Sequence, residues 1–166
     1  MKTVLLMRHA EAADAVNGMR DFERPLTAAG CTMAAGTAAV LQQSQLKPGL
    51  TICSSACRTT QTAQILQQQL APEAQLMACE ELYNAGAERY SRHISAHRDD
   101  SCSTLLFVGH NPGLAMLLCY WARRIISVPP CTMGVFDFAT DEWSQIAHVE
   151  RSLRFLIRNG SRESAA

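Results

Sequence analysis

Thr3-Val4-Leu5-Leu6-Met7 is an apolar run of strand length that ends on Arg8-His9. A core does not accept a cation and an imidazole without partners. At the carboxyl end of a strand in an α/β sheet, however, such residues stand where these sheets bind ligands. Thr104-Leu105-Leu106-Phe107-Val108-Gly109 repeats the pattern and ends at His110-Asn111-Pro112. A third run, Leu50-Thr51-Ile52-Cys53, opens into Ser54-Ser55-Ala56-Cys57-Arg58. Two histidines and two arginines at three strand ends predict a pocket for a dianion, with phosphate the first choice.

Working outward, strands are expected at 3–7, 50–53, 75–79 and 104–109. Thr27 reads as an N-cap for a helix to about Gln43, and Ser55 as a cap for one reaching about Leu70. A further helix is expected over 87–97. Asn111 is expected to cap a helix with Pro112 at its first position, running to about Arg124. Residues 133–139 and 143–150 read as a hairpin joined at Thr140-Asp141-Glu142. Residues 151–158 are left open between helix and strand. Strand–helix alternation implies an α/β fold, with a mostly parallel sheet covered on both faces and an antiparallel edge. One domain over 1–158 and a frayed tail over 159–166 are expected.

Composition sets outer limits. The chain has 166 residues, 48% apolar and 18% charged, which is globular rather than disordered. Fifteen basic residues balance fifteen acidic ones, so no nucleic-acid or membrane partner is indicated. Seven scattered cysteines without a Cys-x-x-Cys read as reduced, small hydrophobes, and the expected compartment is the cytoplasm. The longest apolar stretch, Gly113 to Ala122, is too short to span a bilayer.

The chemistry follows from residue type. Neutral imidazole is a competent nucleophile for phosphoryl transfer. The guanidiniums of Arg8 and Arg58 match phosphate oxygens with paired donors, and a protonated His110 would add another. With the charge met by side chains no metal is required. There is neither a carboxylate cluster of a magnesium site nor a Gly-x-x-x-x-Gly-Lys loop.

Four ordered motifs carry a family resemblance. Leu6-Met7-Arg8-His9-Ala10 resembles the Arg-His-Gly signature of the histidine phosphatase (phosphoglycerate mutase-like) superfamily, with alanine for glycine as in its SixA-like phosphohistidine phosphatase branch. Arg24-Pro25-Leu26-Thr27, Ser54-Ser55-Ala56-Cys57-Arg58-x-x-Gln61-Thr62-Ala63 and Val108-Gly109-His110-Asn111-Pro112-Gly113 resemble three further segments of that branch. The resemblance implies a three-layer α/β/α sandwich and metal-free hydrolysis through a phosphohistidine intermediate. His9 would be the nucleophile, Arg8, Arg58 and His110 the phosphate pocket, and Arg24 a further phosphate or substrate contact.

Two departures stand out. Ser55 occupies a position where the family often has proline. The acidic residue that larger members use to protonate an alkoxide has no clear counterpart in Glu80-Glu81-Leu82-Tyr83-Asn84-Ala85-Gly86. Glu81 and Glu88 are the candidates, each also readable as a solvated carboxylate. Expelling imidazole, with a conjugate-acid pKa of about 6.5, does not need a strong donor. The expected substrate is therefore a phosphorylated histidine-phosphorelay protein, with inorganic phosphate as product. Small phosphate esters, or silent phosphate binding, are the rivals. His93 and His97, four apart on an expected helix, read as surface histidines rather than an arm of a metal site, and His148 is expected in a late strand.

Overall fold

Side chains alternate across a strand. β1 (Lys2–Arg8) therefore sends Val4 and Leu6 to one face of the sheet and Leu5 and Met7 to the other, all fully buried. Burial on both faces is why this run is apolar without alternation. The structure, a computed structural model, describes residues 1–164. Its strands are β1, β2 (Leu50–Ser54), β3 (Gln75–Cys79), β4 (Thr104–Gly109), β5 (Met133–Phe138), β6 (Arg151–Arg158) and β7 (Ser161–Ser164). They form one sheet in the order β3-β2-β4-β1-β5-β6-β7. β3, β2, β4 and β1 run parallel, and β5, β6 and β7 continue antiparallel.

The helices α1 (Ala28–Gln43) and α2 (Cys57–Leu70) cover one face, where Ala34, Ala38, Leu41, Ala63 and Leu66 pack on Leu5 and Met7. On the other face lie α3 (Ala87–Ser95) and α4 (Gly113–Ala122), whose Tyr90, Ile94, Leu114 and Trp121 join Val4 and Leu6. This is the expected three-layer α/β/α sandwich. No helix among the described residues is long and apolar enough to cross a membrane.

The antiparallel side corrects the hairpin expectation. The partner of β5 is 151–158, not 143–150. Trp143 is drawn away from the sheet edge: its indole N–H donates to the Cys102 carbonyl at 2.9 Å and its backbone N–H to Asp100 at 2.9 Å. A fully buried indole with a satisfied N–H outweighs a place on the sheet edge. His148 consequently lies in a turn.

The tail expectation also fails over 161–164. Asn159 (φ 50°) and Gly160 (φ 68°) form a tight left-handed turn, and β7 folds back on β6 with Arg158 opposite Ser161. Asn-Gly is the dipeptide such two-residue hairpins favour, because both central residues need positive φ. Residues 165–166 lie outside the described residues.

Two caps differ as well. α4 begins at Gly113, because the Asn111 amide donates to the Val128 carbonyl at 3.0 Å instead of capping the helix. The residue before α2 is Ala56; the Ser55 hydroxyl is buried and bonds to nothing among the described residues.

Candidate active site

The strand order decides what meets. β2, β4 and β1 are neighbours, so their carboxyl ends lie in a row. Arg8 at the end of β1 is opposite Gly109 at the end of β4, which brings His9 and His110 side by side. Their ring centroids are 5.3 Å apart. Arg58, in the first turn of α2 after β2, reaches between them: its Nε donates to His9 Nε2 and its Nη2 to His110 Nδ1, both at 3.3 Å. Arg8, His9, Arg24, Arg58 and His110 share the wall of one cavity of about 300 Å³, whose lining is mostly polar.

These contacts define the proton positions. A guanidinium has only donors, so the nitrogens it meets must accept. His9 therefore carries its proton on Nδ1 and donates it to the Ala10 carbonyl at 2.7 Å. Nε2 is then the unprotonated nitrogen, its lone pair taken by the Arg58 Nε–H. By the same logic His110 carries its proton on Nε2, which donates to Ser54 Oγ at 2.9 Å. Burial, with Arg58 and Arg8 nearby, pushes His9 down to about 4. Burial and then Arg58 push His110 down to about 3. Both imidazoles are thus neutral near pH 7.

The loop between β1 and α1 is tied down so that Arg24 can reach the cavity. Leu26 N–H donates to the Gln61 side chain at 2.7 Å, and Thr27 N–H to the Glu11 carbonyl at 3.0 Å. Arg24 itself donates to the Ala13 carbonyl at 2.7 Å and to Asp21 at 3.0 Å. Arg8 is anchored to the Val128 carbonyl at 2.9 Å, while its Nε bonds to nothing among the described residues. Burial lowers the Arg8 guanidinium from its ordinary value, which a bound anion would reverse.

Gly109 is required where it stands. A Cβ there would lie 2.0 Å from the Tyr90 hydroxyl. That hydroxyl accepts the His110 backbone N–H at 3.2 Å and so helps set the second histidine.

Residues that the sequence did not single out complete the site. Asp21 accepts from Arg58 Nη2 at 2.9 Å and from the Tyr83 hydroxyl at 2.8 Å, while its carbonyl takes Arg58 Nη1 at 2.6 Å. Tyr83, then Arg24 and Arg58, hold the Asp21 carboxyl far below the usual carboxylate range. The Tyr83 ring packs edge-on against His110 at 5.5 Å. Asp21 sits in a polar loop and carried no spacing signal. Tyr83-Asn84 was visible only as the stretch lacking the usual acid.

The two acid candidates lie elsewhere. Glu81 accepts from His93 at 3.1 Å, and Glu88 accepts from Arg92 at 2.7 Å on the exposed face of α3. Neither lines the cavity. The carboxylate on its wall is Glu11, which accepts from the Thr27 hydroxyl at 2.7 Å.

Comparison with known proteins bears on the family and the fold. The sequence profile of the histidine phosphatase superfamily (branch 1) matches residues 4–82. SixA from Agrobacterium tumefaciens, a proposed phosphohistidine phosphatase, is 31% identical; the match covers 82% of this chain and 91% of that one, with a TM-score of 0.75. SixA from Nakamurella multipartitia, also a proposed phosphohistidine phosphatase, is 26% identical over 95% of each chain, with a TM-score of 0.83. A protein histidine phosphatase SixA complexed with tungstate shares the fold, with a TM-score of 0.77 at 18% identity over 98% of this chain and 97% of that one. The chain belongs to the histidine phosphatase superfamily, as a SixA-like member and hence a phosphatase of the histidine type.

Proposed function

We propose that the protein hydrolyses phosphohistidine on a phosphorelay protein through a phospho-His9 intermediate. The observation that carries this reading is Arg58 bridging His9 Nε2 and His110 Nδ1 at 3.3 Å each. A phosphoryl group entering between these groups meets an unprotonated nucleophile and a ring of donors. His9 Nε2 attacks phosphorus in line. The P–N bond to the substrate breaks as the P–Nε2 bond forms, and the released imidazole takes a proton from water. The Nδ1–H bond to the Ala10 carbonyl steadies the positive charge that grows on His9.

Arg8, Arg58 and Arg24 face the phosphoryl oxygens and spread their charge, so catalysis is positioning and electrostatics without a metal. The dianion favours protonation of His110, which becomes a further donor. Water then cleaves phospho-His9 and phosphate leaves.

The absence of Glu81 and Glu88 from the cavity supports a P–N bond as substrate, because an imidazole leaving group needs no strong acid. Asp21, held as a carboxylate, cannot donate a proton. Glu11 on the cavity wall favours the second reading, small phosphate esters. Rapid quenching after mixing with radiolabelled phosphohistidine protein tests the choice. The expected result is acid-labile label on the His9 peptide, with phosphohistidine turned over faster than sugar phosphates. No label, or ester hydrolysis that is faster and fails in Glu11→Gln, overturns it.

A further inference from the structure

We propose that Cys79, Glu81 and His93 form a zinc site outside the phosphate pocket. Cys79 closes β3, Glu81 lies in the helical turn Glu80–Leu82, and His93 stands on α3. Their ligand atoms all lie within 4.8 Å of one another. His93 Nε2 is 3.1 Å from Glu81 Oε2 and 3.9 Å from Cys79 Sγ. Tetrahedral zinc with Zn–S of about 2.3 Å and Zn–N and Zn–O of about 2.0–2.1 Å requires edges of about 3.3 Å for N···O and about 3.6 Å for S···N. Both spacings are met to within a few tenths of an ångström.

Thiolate, imidazole and carboxylate are all donors zinc accepts, and the thiolate selects against magnesium and calcium. Three protein ligands leave the fourth position to water.

The ligands hang from backbone that is already fixed. Cys79 is paired with Ser54 of β2, and its carbonyl accepts the Ser55 N–H at 3.3 Å. Tyr90 and Ile94, both fully buried, fasten α3 on either side of His93. An ion can reach the site, since Cys79 and His93 are half-buried and Glu81 is exposed. Arg92, next to His93, is already neutralised by Glu88.

Binding replaces the proton shared by His93 and Glu81 and ionises Cys79, so bonds form from Zn²⁺ to Sγ, Nε2 and a carboxylate oxygen as the displaced protons enter solvent. The ion then clamps β3 to α3 two residues before Tyr83, which meets both Asp21 and His110.

The test uses the reduced full chain and zinc alone. Alkylation of each cysteine is followed by peptide mass spectrometry, with exposed Cys31 as the internal comparison. The expected result is that zinc slows alkylation of Cys79 by about tenfold or more and leaves Cys31 unchanged. His93→Ala and the conservative, exposed Glu81→Gln, each checked for an unchanged melting temperature, should need about tenfold more zinc for the same protection. Cobalt should give a thiolate charge-transfer band that Cys79→Ser removes. Unprotected Cys79, or equal protection in both variants, overturns the proposal. Zinc that binds only at His9 and His110 leaves Cys79 unprotected and overturns it too.

Discussion

The parallel half of the sheet and its antiparallel half use the same residue types for opposite ends. In the parallel half, Arg58 meets Asp21 while also donating to two histidines at the open carboxyl ends of β2, β4 and β1. In the antiparallel half, Arg154 grips Asp137 with two hydrogen bonds, at 2.5 and 2.6 Å, and Arg158 pairs with Glu163 across the last hairpin. Parallel strands need long crossovers, so their ends open into loops that can gather side chains from distant segments. The β6–β7 hairpin closes in two residues and gathers only its neighbours. One ion pair therefore faces a cavity and the others staple a sheet.

The sharpest break between the halves is His9→Ala. Turnover of phosphohistidine protein should fall by about four orders of magnitude or more, with the melting curve little changed. Residual turnover near the parent rate would remove the parallel half from the chemistry. Arg58→Ala should cost about 10²–10³ in turnover, since it removes a donor whose hydrogen bonds strengthen as charge builds on the transition-state oxygens. Arg58→Lys should recover little, because a point charge cannot hold both histidines.

pH separates the halves by sign. His9 at about 4 and His110 at about 3 lie below the ordinary histidine value, so the unfolded chain takes up protons first as pH falls below about 6.5. Their contribution to stability is complete above that value. It is lost as pH falls toward about 4 for His9 and about 3 for His110. The urea midpoint should be lower at pH 5 than at pH 7, and His9→Ala should reduce that difference. If His9 attacks as proposed, enzymatic turnover, corrected for spontaneous hydrolysis, should fall about tenfold per unit below pH 4, where its imidazole becomes protonated. The smallest effect belongs to the antiparallel half. Asp137→Ala should lower stability by about 1–3 kcal/mol in urea titration, leaving Arg154 and the Thr3 hydroxyl without their acceptor, and leave turnover per folded molecule unchanged.

Legibility followed the same division. The buried parallel strands read correctly because apolar runs with polar ends have few other places to go. The four positions His9, Arg8, Arg58 and His110 were visible as interruptions at those ends, and they share the cavity wall. In the antiparallel half the strand at 133–139 and the antiparallel edge read correctly, but the partner strand was misplaced because Trp143 left the edge for the Cys102 carbonyl, and 159–166 read as a fraying tail although Asn159-Gly160 turns the chain back. Asp21 and Tyr83 were missed because each is an ordinary loop residue until Arg58 arrives beside it.

The sequence by itself determined which segments are buried, where each ends, and that cations and imidazoles stand at those ends; local periodicity and the cost of burying charge suffice for that. Only the tertiary structure decided that β4 inserts between β2 and β1, so that residues 9, 58 and 110 become neighbours. Strand order is set by how the two helical layers pack across the sheet, and no stretch of chain records it locally.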